Sequence, residues 1–137
     1  MPQAEPGSLV AFLRARLDKD EAVARRVKSS WRQVGETGVI VASDGGRAEE
    51  CANGNWTGIA EHIVRHDPPR VLAEVESKRR IIELHALEYR ERPERVLGEA
   101  DDPFCAECSG EGFPCETLRL LALPYADHPD YREEWRP

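Results

Sequence analysis

Large aromatic side chains are scarce in this chain, which has three Trp, three Tyr and three Phe among its 137 residues, and a single Met. The interior must therefore come mainly from Leu, Ile, Val and Ala, and a chain of this length supports one modest domain that buries about two-thirds of its unfolded surface. Long apolar runs are missing as well. No stretch reaches the roughly 18 apolar residues of a membrane-spanning helix. The opening MPQAEPGSLVAFLRARLDKDE turns charged by Arg14, without the apolar centre or cleavage site of a secretory signal. The expectation is a cytoplasmic protein with no membrane contact.

Basic residues are few at one end. Residues 1–98 hold 16 Lys and Arg against 16 Asp and Glu, whereas residues 99–137 hold 3 against 10, so the net charge of −7 belongs to the second segment. Nucleic-acid binding depends on Lys and Arg neutralising phosphates, and this acidic end argues against it. The best basic cluster, Lys78-Arg79-Arg80, stands among Glu74, Glu76 and Glu83 and reads as a solvated, ion-paired helix face.

What is present reads as a single α+β domain over 1–137, mainly helical, with a small antiparallel hairpin or meander. Ser8 is a suitable N-cap before LVAFLRARLDKDEAVARRV, whose Leu9, Phe12 or Leu13, Leu17, Ala24 and Val27 recur at helical spacing over about 9–28. Short β-branched runs then alternate with Gly-Glu-Thr-Gly and Asp-Gly-Gly, which predicts a small sheet over about 31–50. Helices follow over about 56–66 and, after Pro68-Pro69, over about 69–92, with Val71, Val75, Ile82, His85 and Tyr89 on one stripe. A loop over 98–117 leads to C-terminal helices over 116–135, the last begun at Pro129.

That loop contains CAECSGEGFPC, which holds three of the four cysteines. Cys105-x2-Cys108 has the spacing of a metal knuckle, and Gly110 after it allows a tight turn whose amides point at the sulfurs. Cys115 stands directly ahead of a helix, where the positive helix end favours a thiolate. Three thiolates so close repel one another unless a cation neutralises them, and tetrahedral zinc needs a fourth ligand. The choices are Cys51, His62, His66, His85 and His128. His85 is preferred, because on the core stripe a histidine needs a polar partner, with Cys51 next. The geometry permits this: a helix reaching Arg92 would overshoot His85 by about 10 Å, and the residues beyond could return roughly 40 Å. Four protein ligands would make the zinc structural, with no catalytic residue and no further cofactor.

Other readings remain open. Four cysteines could form two disulfides, which a cytoplasmic setting opposes. They could instead hold an iron–sulfur cluster, since spacing alone does not separate it from zinc. His62 and His66 stand one helical turn apart and, with His128, could make an open hydrolytic metal site, but they lack the Glu that serves as base in the metalloprotease motif.

The strings HIVRHDPPRVLAEVESKRRIIELH and PCETLRLLALPYADHPDYREEWRP resemble an uncharacterised family of small actinobacterial and actinophage proteins, a domain-of-unknown-function family, over about residues 8–137. The resemblance implies a His at the place of His85 ahead of thiols at Cys105, Cys108 and Cys115, with Cys51 outside the pattern. More remotely, the cysteines are similar to those of the WhiB-like iron–sulfur regulators, although the chain lacks their Gly-Trp-Gly-Gly turn and their basic tail. The function these readings imply is a zinc-stabilised accessory or interaction protein whose partner is another protein, with an iron–sulfur regulator and a hydrolase as alternatives. Trp31, Trp56 and Trp135 are each either interface or core. Tyr125, Tyr131 and Trp135, set among acidic residues, either anchor a partner or fold the tail onto the core.

Overall fold

The computed structural model describes residues 8–85, 87–90, 102–105, 107–108 and 114–137, with 87–90 and 102–104 described in their backbone alone. The order is α1 (Leu9–Val27), β1 (Ser30–Gln33), β2 (Val39–Asp44), β3 (Arg47–Asn53), α2 (Thr57–Arg65), α3 (Pro68–Leu84), β4 (Leu87–Arg90), β5 (Asp102–Cys105) and α4 (Glu116–Ala122). Short 3-10 turns follow at Leu123–Tyr125 and Glu133–Trp135. The class is α+β, and the chain divides into two compact units, Leu17–Ser77 and the remainder; α1 and α3 each contribute to both.

In the unit Leu17–Ser77, β1, β2 and β3 form an antiparallel sheet in that order. The β2–β3 turn has two residues, Gly45 and Gly46, and Gly45 at φ +61° takes a backbone shape that a side chain would oppose. Ile40 pairs with Ala52 and Val41 with Glu50, which leaves Cys51 as the extra residue of a bulge on the exposed edge strand β3. Asp67 connects the sheet to α3. One carboxylate oxygen accepts the Arg70 amide at 3.3 Å, capping the helix, and the other accepts the Trp31 amide of β1 at 3.1 Å. Leu17, Ala24, Ile40, Ala60 and Val75 are buried in this unit.

The other unit begins at the N-cap of α1, where the Ser8 hydroxyl accepts the Ala11 amide at 3.1 Å. One turn on, the Phe12 ring lies 5.1 Å from Trp135, 5.6 Å from His128, 5.9 Å from Tyr131 and 6.4 Å from Tyr125. Trp135 is buried. The tail aromatics thus pack on α1, which settles Trp135 as core, while Trp31 is half-buried and Trp56 is 74% exposed.

Two elements and one core position differ from what the sequence predicts. The long helix does not run to residue 92. It stops at Leu84, and Leu87–Arg90 is a strand paired antiparallel with β5, Tyr89 facing Pro103 and Leu87 facing Cys105. Leu87-Glu88-Tyr89-Arg90 alternates with period two as well as fitting a helical stripe, and the ladder with β5 decides between the two. The tail is not one helix begun at Pro129 either: turns at 126–130 lead to the 3-10 turn Glu133–Trp135, held there by the rings around Phe12. Val27, expected on the core stripe of α1, is 43% exposed in the last turn of the helix. Much of the loop read over 98–117, Gly110 included, falls outside the described residues.

Candidate metal centre

Each donor of the centre is placed by a different local device. His85 follows α3 directly, its amide still bonded to the Ile81 carbonyl at 3.1 Å, and β4 begins two residues later. Because Leu87 is in register with Cys105, the β4–β5 ladder brings the end of α3 to the end of β5. Cys108 lies in the turn beyond β5, and its amide donates to the Cys105 sulfur at 3.4 Å, the amide-to-sulfur contact expected of a knuckle. Cys115 is the N-cap residue of α4, with its carbonyl accepting the Arg119 amide at 3.1 Å. Its thiol makes no capping bond; it turns instead toward His85.

The His85 Nδ1 atom lies 3.2 Å from the Cys105 sulfur, 3.4 Å from that of Cys108 and 3.5 Å from that of Cys115. All four donor atoms fall within 4.8 Å of one another. A single ring nitrogen carries one hydrogen or one lone pair, so it can satisfy one sulfur but not three. The arrangement is the outline of a tetrahedron around a common point. With metal–sulfur bonds of about 2.3 Å and metal–nitrogen bonds of about 2.0–2.1 Å, a zinc tetrahedron has nitrogen–sulfur edges of about 3.5 Å and sulfur–sulfur edges of about 3.8 Å. The donors present therefore fit one four-coordinate ion. None of the cysteines is in a disulfide.

Cys105 and Cys115 are buried and Cys108 is exposed. Without a cation Cys105 and Cys108 divide their protons unequally. Burial pushes the Cys105 thiol up, but the Cys108 amide, the His85 ring, the Cys108 thiol and the Glu107 amide together outweigh it and bring its pKa from 9.0 down to about 7. The hydrogen bond to Cys105 is the main reason that Cys108 is pushed the other way, to about 11. One sulfur takes the negative charge and its neighbour keeps a proton to share with it.

The structure thus gathers His85, Cys105, Cys108 and Cys115, the four residues expected to form the centre. Cys51 is exposed on β3 and outside the group. The histidines of the hydrolytic alternative do not form a donor cluster with one another among the described residues. His66 Nδ1 bonds to the His62 carbonyl at 2.8 Å, and the two rings stand 4.6 Å apart on the surface of α2. The His128 ring lies against the Phe12 ring, with one nitrogen beside the Arg16 guanidinium and the other 3.0 Å from the Asp130 amide. What the sequence reading missed is the β4–β5 ladder that positions His85; its one local signal was the alternation at 87–90.

Fold and cluster together define a small α+β protein with a three-cysteine, one-histidine donor set. The chain belongs to DUF6221, a family of unknown function whose model matches residues 7–137. No curated protein and no solved structure matches it. Among the described residues no helix is long and apolar enough to cross a membrane.

Proposed function

We propose that this chain is a zinc-stabilised accessory protein, in which His85, Cys105, Cys108 and Cys115 hold a structural ion and the folded whole serves as a binding partner for another protein. The observation that supports it most is the convergence of three sulfurs on His85 Nδ1 at 3.2–3.5 Å. A mixed set of three thiolates and one imidazole suits zinc. A multi-iron cluster gives its thiolates to different irons and spreads them wider than the edges of a single-ion tetrahedron; the donors here, within 4.8 Å of one another, favour one ion. Four protein donors fill the coordination shell and leave no position for a reacting water, so the ion would hold structure rather than perform chemistry. A cytoplasmic setting, which keeps four thiols reduced, belongs to the same proposal.

The partner reading draws on the surface. With the tail aromatics packed around Phe12, the apolar side chains left in water include Trp56 at 74% exposure and Ile59 at 41%, three residues apart at the start of α2. An exposed tryptophan is a common anchor of a protein interface.

Metal analysis of protein purified without oxygen tests the metal reading. The expected result is about one equivalent of zinc and no visible colour, with a marked fall in melting temperature once a strong chelator has removed the ion. Brown protein containing iron and sulfide, or an unchanged melting curve after confirmed metal removal, would overturn it.

A further inference from the structure

We propose that Cys108 is an oxidation site: a hydroperoxide converts its thiolate to a sulfenic acid, Cys105 resolves that acid to a Cys105–Cys108 disulfide, and the metal is released. The inference rests on the zinc reading above. It starts from the unequal access to the three sulfurs. Cys105 is 1% exposed and Cys115 is 8% exposed, whereas Cys108 faces water. An oxidant arriving from solvent therefore meets one thiolate of the centre and not the other two, and oxidation follows thiolate character and exposure together.

The second step is set by proximity. Cys105 lies three residues back in the same turn, and its sulfur already receives the Cys108 amide at 3.4 Å. The donor atoms all lie within 4.8 Å of one another, so a side-chain rotation closes the gap to a sulfur–sulfur bond of about 2.05 Å. Cys115 belongs to a different segment and is fixed as the N-cap residue of α4.

The chemistry balances as a two-electron oxidation of two thiolates by one hydroperoxide. The Cys108 sulfur attacks the terminal peroxide oxygen, the O–O bond breaks, and the departing alkoxide or hydroxide takes a proton from water. The Cys105 thiolate then attacks the sulfenic sulfur and expels hydroxide, which is also protonated. Two of four donors are consumed, and His85 with Cys115 alone cannot keep a zinc ion in competition with a chelator. Cys51, exposed and outside the group, would compete for the oxidant and is removed for the test.

The experiment uses the full chain carrying Cys51→Ser, loaded with zinc and treated with hydrogen peroxide, while a chromophoric chelator reports free zinc and mass spectrometry maps the thiols. The expected result is release of about one equivalent of zinc in step with a Cys105–Cys108 disulfide, reversed by a dithiol reductant. A sulfenic-acid trap applied at low peroxide should label Cys108 first. Zinc that stays bound while Cys108 oxidises, first labelling at Cys105 or Cys115, or a disulfide to Cys115 would overturn the proposal and leave the zinc reading standing. Protein with no zinc before peroxide is added would overturn both.

Discussion

Replacing His85 by alanine removes the nitrogen on which three sulfurs converge. The expected outcome is a large loss of zinc affinity, measured by competition with a chelator, and a weakened three-thiol site. Cys51→Ser should retain the metal at wild-type affinity. If the two variants behave the other way round, the donor set is wrong. The thiols of the metal-free protein also make its stability depend on pH. The pKa of Cys105 is lowered from 9.0 to about 7, so it contributes stability that is present above 9 and is lost as pH falls through 7. That of Cys108 is raised from 9.0 to about 11, so its contribution holds below 9 and is lost as pH climbs toward 11. The melting temperature of metal-free protein should accordingly rise between about pH 7 and 9 and fall above that. A profile that falls steadily from pH 7 would contradict this division of protons. The four donors were legible in the sequence because a Cys-x2-Cys knuckle is a local object, and because a histidine on an apolar stripe needs a polar partner. The choice between His85 and Cys51 was less so, since it depends on a strand ladder that joins segments distant in sequence.

Elements were legible where one periodicity dominated. The helix α1, its Ser8 cap and a small antiparallel sheet after it follow from spacing and turn residues alone, although the same signals fit a hairpin as well as the three strands found. The end of α3 did not, because residues 87–90 satisfy both periods and only their pairing with β5, a separate segment of the chain, decides between them. Nor did the tail, whose shape comes from rings gathered around Phe12 rather than from helix propensity. Trp135→Ala should therefore cost about 3–5 kcal/mol, as a large buried ring does, read as a shift in the denaturation midpoint. A change of a few tenths would mean that the tail is not part of the core. Asp67→Ala removes both the cap of α3 and the carboxylate that holds the Trp31 amide. A loss of about 1–2 kcal/mol is expected, and Asp67→Asn should recover part of it.

For the molecule as a whole, all four donors fall in one compact unit and the three-stranded sheet in the other. Hydrogen exchange before and after chelation should show protection lost first in β4, β5 and α4, with β2 losing less. Equal loss everywhere would mean that the ion orders the entire chain at once. The tryptophans are placed to report the same event optically. Trp135 is sealed against Phe12 at 5.1 Å, whereas Trp56 is already in water. Ultraviolet emission from a Trp31→Phe variant, which removes the half-buried third indole, should thus superpose a short-wavelength band from the sealed indole on a long-wavelength band from the wet one. Quenching by iodide would remove the second and spare the first. If the C-terminal segment loosens when zinc leaves, the sealed band moves to the red, and the chain carries its own fluorescent indicator of metal occupancy.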